Sequence, residues 1–488
     1  MKKQIFGVLA IFLNTSILAA QVSFSGEVTL TGQVSAGSQS SAPATLTGAV
    51  PSTFFGLHFK SSTPWPQVPF GSVRLWDSDT RWQQDESQPI SYDFGAVDQY
   101  LSLAKSHGLR DILLTLSATP YWASSNPNDE NCDYASTASG SCAPPPDINS
   151  DGTGTDQYWR DYIYNLAAHI ASLDPNQYAS VTEFAMWNEF TREQSSSPSS
   201  WLGTNAQLLR LVQDANCIIT GRGPITATGQ SCTVNNMREP AVGILGGVRI
   251  STPDSVLTAP QSSNYQSYLQ TAGATGSADI IAVHGYVQNG TCCAAAETLI
   301  SRMNTLKQIL PASASALPIW STEGSWGASQ PNLSDPDLQA AFVARYYLIG
   351  WAQGFQRLYW YAYDNASWGT LWSPNGANGC SDDGSGLGCL TKAGIAYAQV
   401  YSWMVNNQMT SPCASAGTVW TCGFTNPDGI HTLAVWDTSQ SCSAGVCGHS
   451  VFAIDPSYTH FVELDGSRAQ AVYGASVMIG AKPILLER

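Results

Sequence analysis

The 488-residue sequence is poor in charge, above all in positive charge. Charged residues make up 12% of the chain, and 36 acidic residues outnumber 21 basic ones, which gives a formal charge of −15 at pH 7. Nucleic acids and anionic membranes bind basic surfaces, so both are disfavoured as partners. Trp (16) and Tyr (20) are abundant by contrast. Such a composition suits a neutral, polyhydroxylated ligand that stacks on aromatic rings.

Motifs of several enzyme classes are also missing. The sequence has no CxxC pair and no HExxH, which disfavours a zinc site. No GxGxxG or P-loop follows the first predicted strand, which argues against an open, nucleotide-binding sheet. The GxSxG nucleophile elbow of esterases is absent, because residues 324–327 read Gly-Ser-Trp-Gly. No metal ion or organic cofactor is therefore expected.

The N-terminus indicates export. A basic start at Lys2-Lys3, an apolar stretch over 5–18 and small residues at Ala19-Ala20 predict a signal peptide at 1–20. An uncleaved membrane anchor is the alternative. A Ser/Thr/Gly-rich leader follows at 21–50. No later stretch is long and apolar enough to span a bilayer, so we expect a soluble protein that is secreted or periplasmic, with no membrane insertion after cleavage.

Twelve cysteines are consistent with an oxidising compartment. Most of them form close pairs, for which local disulfides are expected, although the sequence does not fix the connectivity. The pairs are Cys132/Cys142, Cys217/Cys232, Cys380/Cys389, Cys413/Cys422 and Cys442/Cys447. The adjacent Cys292 and Cys293 either bridge each other or remain thiols.

Short apolar runs alternate with amphipathic stretches over residues 51–407. Eight runs predict strands, at 54–59, 72–76, 111–116, 182–187, 242–250, 279–284, 317–321 and 357–361. Helical patterns lie between most of them, at 94–107, 156–173, 206–220, 265–272, 295–310 and 336–353, and another follows at 393–406. Only the connection 60–71 is too short and Pro-rich for a helix. This α/β pattern predicts a (β/α)8 TIM barrel.

The pattern changes after residue 407. Short alternating strands separated by turn signals predict an antiparallel β-sandwich over 408–488. The strands are expected at 418–424, 431–437, 449–454, 460–464, 469–473 and 476–479. The sandwich could bind carbohydrate, but so little linker separates it from the barrel that a structural lid is the favoured interpretation.

Two of the predicted barrel strands end on a glutamate. The apolar run 184–187 stops at Asn188-Glu189, and the run that begins at 317 leads to Thr322-Glu323. Carboxylates that end the fourth and seventh strands of a barrel face each other across its central pocket, where catalytic groups collect. Glycoside hydrolysis requires such a pair, one as acid and the other as nucleophile or base. A buried structural ion pair is the alternative for either glutamate alone.

The two motifs, Trp-Asn-Glu at 187–189 and Ser-Thr-Glu at 321–323, resemble those of the retaining glycoside hydrolases of clan A. Within that clan the chain is most similar to glycoside hydrolase family 39 and the related secreted bacterial exopolysaccharide endoglycosidases. The resemblance covers roughly residues 54–407 and extends loosely into the C-terminal sandwich. It implies that Glu189 is the acid/base, that Glu323 is the nucleophile, and that Asn188 holds the 2-hydroxyl of the sugar.

Further side chains are expected around this pair. Arg74 is a cation in an apolar strand and needs an anionic partner, and the resemblance places it against Glu323, which it would keep ionised. The resemblance also implies a hydrogen bond from Tyr286 to Glu323. His58 and His284 either line the sugar site or are hydrogen-bonded structural residues.

Aromatic and acidic residues near the rim complete the candidates. Trp360 and Trp122 could stack on sugar rings, as could Tyr121, Tyr361 and Tyr363. Trp122, Trp326 and Trp368 are equally well explained as loop packing. Three carboxylates compete for the acid/base role, namely Asp77, Asp79 and Asp364.

The sequence thus predicts a glycosidase that acts on a polysaccharide or oligosaccharide by double displacement, with Glu189 as proton donor and Glu323 as attacking group. The alternative is a non-catalytic carbohydrate-binding surface protein on the same barrel, which would keep the aromatic rim but need neither glutamate. Xylan-like, glucan, galactan and bacterial exopolysaccharide substrates all remain open, as do endo or exo action and the oligomeric state.

Overall fold

A computed structural model describes residues 48–129, 139–191, 200–222, 243–258, 261–287, 294–376, 380 and 387–488. The predicted signal peptide and nearly all of the predicted leader lie outside these residues. Within them, no helix is long and apolar enough to cross a membrane.

Parallel strands build the predicted barrel. They are β1 (Phe55–Leu57), β2 (Ser72–Leu75), β3 (Ile112–Thr115), β4 (Glu183–Ala185), β5 (Arg249–Ile250), β6 (Ser255–Val256), β7 (Ile281–His284), β8 (Ile319–Gly324) and β9 (Arg357–Trp360). Neighbours pair in the order β5-β4-β3-β2-β1-β9-β8-β7-β6. β5 and β6 belong to one short segment, and Ser251 between them bridges Ile280 next to β7. This segment closes the sheet into a barrel of eight strand positions, which confirms the predicted architecture.

The helices surround the barrel. They are α1 (Trp82–Asp85), α2 (Gly95–Ser106), α3 (Gln157–Ser172), α4 (Asn205–Thr220), α5 (Gln261–Leu269), α6 (Thr298–Ile309), α7 (Ser329–Asn332), α8 (Pro336–Gln353) and α9 (Lys392–Met404). Local sequence sets several ends. Asp335 accepts the backbone N–H groups of Asp337 and Leu338 at the start of α8, and Gly354 ends that helix in the left-handed conformation.

The barrel interior is filled by side chains of alternate strand residues. One cluster inside it contains Leu113, Ala185, Trp320 and Tyr359. On β1 the residue facing this cluster is Gly56, where a Cβ atom would lie 2.4 Å from the ring of Tyr359. Only glycine therefore leaves room for this tyrosine.

An antiparallel sheet follows the barrel, as predicted. The main sheet contains β12 (Gln408–Ala416), β13 (Val419–Thr425), β14 (His431–Asp437), β18 (His460–Val462), β19 (Gln470–Ala471) and β21 (Ile484–Glu487), in the order β12-β13-β14-β21-β18-β19. A second layer is the pair β17 (Ser450–Ala453) and β20 (Ser476–Ile479), and the apolar core between the layers includes Val435, Val477 and Leu486. Two small strand pairs complete the described strands, namely β10 (Trp372–Ser373) with β11 (Cys389–Leu390), and β15 (Cys442–Ser443) with β16 (Val446–Cys447).

The sheet and the barrel share contacts within one compact unit, Pro43–Arg488. The ring of Phe424 lies 5.5 Å from that of Trp351 on α8. Trp436 donates its indole N–H to Glu297 at 3.0 Å, and Lys482 donates to Asp337 at 3.0 Å. α9 ends and β12 begins close to residue 407, where the sequence predicts the change of domain.

Three of the expected disulfides are present, Cys380–Cys389, Cys413–Cys422 and Cys442–Cys447. Cys142 and Cys217 are also disulfide-bonded. Cys132, Cys232, Cys292 and Cys293 lie outside the described residues, so their predicted pairing stays a prediction.

Candidate active site

The carboxyl ends of the barrel strands bring the two predicted glutamates together. Glu189 follows β4, and Glu323 lies near the end of β8. Three atoms lie within 4.8 Å of one another: one carboxylate oxygen of Glu189, one carboxylate oxygen of Glu323 and one ring nitrogen of His284. The backbone of Glu189 has φ +48°, in the left-handed region. Non-glycine residues in this region are uncommon and often belong to functional sites.

The two glutamates are the accessible members of a buried cluster. The side chain of Glu189 is 10% exposed and that of Glu323 is 7% exposed, whereas Arg74, Asp254 and His284 are fully buried. The glutamate carboxylates therefore face the opening of the barrel, while their charged neighbours lie behind them.

Glu323 is held by the two residues that the resemblance placed beside it. Arg74 donates from Nη1 to Oε1 at 2.6 Å, and the hydroxyl of Tyr286 donates to Oε2 at 2.9 Å. Burial has the largest influence on the pKa of Glu323 and raises it above its usual value. His284 and Arg74 oppose this rise without cancelling it.

His284 connects the two glutamates. Its Nδ1–H donates to Oε1 of Glu189 at 2.8 Å and lies 3.5 Å from Oε2 of Glu323. Its Nε2 lies 3.5 Å from Asp254. Burial lowers the pKa of His284, but the surrounding carboxylates, Glu323, Asp254 and Glu189, outweigh it and raise the pKa to about 10. The imidazole is therefore a cation at neutral pH.

Asp254 is a site residue that the sequence analysis missed. It is fully buried, accepts a hydrogen bond from Nη2 of Arg74 and accepts another from the hydroxyl of Thr322 at 2.8 Å. Burial raises its pKa, but Arg74 and His284 outweigh this and hold the pKa below its usual value. The predicted fifth strand, 242–250, ended too early to place this residue at the rim. An aspartate shortly after an apolar strand was the available signal.

Asn188 and His58 lie next to the guanidinium group of Arg74. Asn188 accepts from Nη2 of Arg74 at 2.8 Å through its side-chain oxygen. Nε2 of His58 lies 2.9 Å from the carbonyl oxygen of Thr322 and 3.3 Å from Nη1 of Arg74. Burial and then Arg74 lower the pKa of His58, which keeps it neutral. His58 therefore contacts the backbone of β8 next to Glu323. This contact is the one expected of a hydrogen-bonded structural residue.

The structure separates the aromatic candidates. Trp360 is fully buried, donates to the carbonyl of Gly369 at 2.6 Å and packs on Trp326 and Tyr347, so it offers no face for stacking and belongs to the core. Trp122 is half-buried and donates to the carbonyl of Glu86 at 2.9 Å. Trp368 is half-buried, and its ring lies edge-on to that of Tyr286 at 5.9 Å.

The remaining rim carboxylates are engaged in loop contacts. Asp77 accepts from Arg81 at 2.6 Å and from the hydroxyl of Tyr361. Asp79 accepts from Gln84 at 2.8 Å. Asp364 accepts the backbone N–H groups of two loop residues after β1, Lys60 and Ser61. These contacts leave Glu189 and Glu323 as the facing pair.

The spacing of Glu189, His284 and Glu323 would also suit a metal ion. Arg74, however, already binds Glu323, and the raised pKa of His284 keeps its ring protonated. A metal ion would have to displace these two contacts, so the cluster as it stands fits proton chemistry.

Comparisons with known proteins agree with the fold. No family model matches the sequence, and no curated protein matches it. Among solved structures, a family 39 glycoside hydrolase from Bacteroides cellulosilyticus WH2 is similar, with 15% identity, 90% of this chain and 81% of that chain covered, and a TM-score of 0.56.

Two further enzymes share the architecture. A monomeric β-xylosidase from Caulobacter crescentus CB15 is 14% identical, with 91% of this chain and 97% of that chain covered and a TM-score of 0.55. The catalytic domain of GH30 xylanase C from Talaromyces cellulolyticus is 14% identical, with 92% and 99% covered and a TM-score of 0.51. At such identities the likeness establishes the fold, and this chain has the barrel-plus-sandwich fold that these glycoside hydrolases also have.

Proposed function

We propose that the protein is a secreted retaining glycoside hydrolase that cleaves O-glycosidic bonds in a polysaccharide or oligosaccharide. One observation carries the proposal: oxygens of Glu189 and Glu323 lie within 4.8 Å of each other at the carboxyl end of the barrel. Carboxyl groups about 5 Å apart are typical of retaining glycosidases, whereas inverting enzymes need about 6.5–9.5 Å to admit a water molecule. The similar folds of known glycoside hydrolases and the disulfides support the activity and the export.

The charges of the cluster support the role of Glu189 as acid. Arg74 and His284 are cations, while Asp254, Glu323 and Glu189 are carboxyl groups, so full ionisation leaves one negative charge in excess. A proton on Glu189 removes that excess. Glu189 also lies in the opening, where it could donate this proton to the leaving oxygen of a bound sugar.

Glu323 is suited to attack. Arg74 and Tyr286 hold its two oxygens, so the carboxylate is oriented before the substrate arrives. Attack on the anomeric carbon forms a glycosyl ester and expels the leaving group, which takes the proton of Glu189. Glu189, now a carboxylate, removes a proton from water, and that water releases the sugar from Glu323.

Asp254 acts as a positioning residue in this mechanism. It binds Arg74 and lies beside His284, and these two residues contact both glutamates. Trp368 beside Tyr286 is the aromatic side chain best placed to contact a sugar. Asn188 keeps its predicted role at the 2-hydroxyl.

The test compares wild type, Glu189→Gln and Glu323→Gln on a panel of polysaccharides and aryl β-glycosides, following reducing ends and product size. Each variant should lose activity by about 10³-fold or more, because each removes a group that reacts with the substrate. Azide should restore turnover of an activated aryl glycoside by Glu189→Ala, with retained configuration.

Glu183→Gln is the matched control, since Glu183 is a buried glutamate at the opposite end of β4. Glutamine variants as active as wild type on a substrate that wild type cleaves would refute the two-glutamate mechanism. Glycan binding by a wild type that cleaves nothing on the panel would favour a carbohydrate-binding protein instead.

A further inference from the structure

The strand that carries Glu323 contains one residue more than its neighbours. Pairing of β8 with β7 skips Thr322, because Ser321 and Glu323 lie opposite consecutive residues of β7. The pairing of β8 with β9 is also irregular, between Ser321 and Gly324. A β-bulge therefore lies at residues 322–323, directly at the proposed nucleophile.

This bulge decides the direction in which Glu323 points. Trp320 lies inside the barrel, and side chains alternate along a regular strand. Thr322 should then face inward and Glu323 outward, toward the helices. Thr322 does face inward and donates its hydroxyl to Asp254. Glu323 nevertheless faces inward as well, where it binds Arg74. The extra residue has turned its side chain to the other face of the sheet.

The hydroxyl of Ser321 joins the two ends of the bulge. It donates to the carbonyl oxygen of Glu323 at 2.8 Å and accepts the N–H of Gly285 at 3.1 Å. The same N–H of Gly285 also donates to the carbonyl oxygen of Glu323, at 2.6 Å. Ser321 is fully buried. Its side chain therefore connects the backbone of the bulge with the backbone that follows β7.

Gly285 lies between two further residues of the candidate active site. His284 precedes it and donates to Glu189, and Tyr286 follows it and donates to Glu323. A shift of the backbone at Gly285 relative to Glu323 would change the contacts of both neighbours. The contacts of Ser321 thus bear on the alignment of three side chains at once.

Tyr346 on α8 supports this arrangement from the helical side. It is fully buried, and its hydroxyl donates to the carbonyl oxygen of Gly285 at 3.1 Å and lies 3.3 Å from the hydroxyl of Ser321. A Cβ atom at Gly285 would lie 2.5 Å from the tyrosine hydroxyl, and one at Gly324 would lie even closer. The two glycines therefore leave the space that this hydroxyl occupies.

We propose that Ser321 is a positioning residue for the attack by Glu323. Its hydroxyl, with Tyr346 behind it, holds the bulge that turns the carboxylate toward the substrate. Ser321 itself lies on the outer side of the strand, so it acts through the backbone of Glu323 and Gly285. The inference rests on the proposed function, since it assigns to Ser321 an effect on the alignment of the reacting groups.

The competing explanation is a purely stabilising hydroxyl. A buried carbonyl group without a hydrogen-bond donor is costly, and Ser321 would then serve only to pair with that of Glu323. The two explanations differ in what they predict for folded molecules. A stabilising hydroxyl changes the unfolding temperature alone, whereas a positioning hydroxyl also changes the rate of attack.

The experiment compares full-length wild type with Ser321→Ala. The probe is a deoxyfluoro aryl glycoside with an activated leaving group, made with a sugar that wild type cleaves on the panel. Its anomeric carbon forms an ester with the carboxylate of Glu323 as the aryl oxide leaves, and the fluorine slows hydrolysis of that ester. Mass spectrometry measures the rate of labelling and identifies the labelled glutamate. Values of kcat and KM on the matching aryl glycoside and the unfolding midpoint are recorded beside it.

Ser277→Ala is the matched control. Ser277 is a buried serine shortly before the amino-terminal end of β7, and its hydroxyl donates to the carbonyl oxygen of Gly273 at 2.8 Å. This variant should lower the unfolding midpoint without changing the rate of labelling.

Ser321→Ala should reduce the rate of labelling and kcat about tenfold, with KM within about twofold of wild type, because alignment is lost while binding is kept. It should fold, since Gly285 still donates to the carbonyl oxygen of Glu323. Tyr346→Phe removes the support from α8 and should reduce labelling about threefold.

An active wild type with Ser321→Ala labelled at the wild-type rate would overturn this inference and leave the proposed function standing. A wild type that neither cleaves a glycoside nor is labelled by any probe of the panel would overturn the proposed function and the positioning role with it. Should Ser321→Ala fail to fold, Tyr346→Phe decides, and an unchanged rate of labelling in that variant would overturn the inference.

Discussion

Both ends of the barrel contain buried charges, but the charges are arranged differently. At the amino-terminal end, Arg357 binds Asp111 at 2.6 Å and approaches Glu183 at 3.3 Å, and Arg249 binds Glu183 from the other side. Both guanidinium groups also lie over Trp320, at 4.0 and 4.7 Å from its ring centre. Two cations face two carboxylates, so this network is neutral.

At the carboxyl-terminal end, the cluster of Arg74, His284, Asp254, Glu323 and Glu189 has one carboxyl group more than it has cations. Two of its carboxyl groups also reach the opening. Equal numbers of cations and carboxylates can all stay ionised, as expected for a network that stabilises the fold, whereas a cluster with one carboxyl group in excess favours binding of a proton. Charge balance, together with the position at the carboxyl ends of the strands, thus distinguishes the candidate active site from the structural ion network.

The contrast between the two ends of the barrel can be tested by substitutions. After loss of either glutamate, we expect the largest fall in activity for Asp254→Asn. The substitution weakens the hold on Arg74 and removes one of the anions that raise the pKa of His284. We expect kcat to fall about 100-fold with little change in KM, because the reacting groups lose their alignment. The alkaline limb of the pH–rate profile should also move to lower pH as His284 loses its proton more easily. A fall in kcat with an unchanged alkaline limb would contradict this role.

The acid limb of the pH–rate profile should lie at a higher pH than it would if the nucleophile had the pKa of an ordinary glutamate. Burial raises the pKa of Glu323 above 4.5, so as the pH falls the nucleophile takes up a proton earlier and cannot attack. Below that pKa, kcat/KM should drop about tenfold per pH unit. The measurement is a profile of kcat/KM from pH 3 to 8, recorded where the protein stays folded. An acid limb at or below pH 4.5 would argue against this assignment.

Tyr286→Phe should reduce kcat about tenfold, because a hydrogen bond to one oxygen of the nucleophile is lost. Its matched control is Tyr162→Phe, in which a buried tyrosine loses its 3.0 Å bond to Asp85 on the helical side of the barrel. The control should lower the unfolding temperature without lowering kcat. Equal losses of kcat in both variants would mean that Tyr286 only stabilises the fold.

The smallest effect on activity is expected at the amino-terminal end. Glu183→Gln leaves Arg357 and Arg249 with one anion fewer, which should cost about 3 kcal/mol of folding free energy, as when one partner of a buried ion pair is removed. Chemical denaturation measures this loss, and kcat per folded molecule should stay within about twofold of wild type. A large loss of kcat at full folding would show that the two ends of the barrel are coupled.

Local sequence patterns predicted the fold well where they matched the period of the element. All eight barrel positions were found, but the fifth strand was placed too early because 242–250 reads as an apolar run, whereas the chain forms short strands only from Arg249 onward. Four strands after residue 407 were not predicted, namely the two-residue strands β15 and β16, and the longer β12 and β21, for which the reasons are physical. β12 is a largely exposed edge strand, rich in small and polar residues and interrupted by Pro412, and β21 is a short central run, Ile-Leu-Leu, that does not alternate.

The sequence by itself predicted the barrel, the appended sheet and the two glutamates at strand ends, because each leaves a signal among neighbouring residues. Only the tertiary structure decided which cysteines pair, that Asp254 joins Arg74 and His284, and that Trp360 belongs to the core. The contacts of Asp254 join residues that are tens to hundreds of positions apart. Which carboxylates share one buried space depends on how the strands and helices pack, and no local pattern records it.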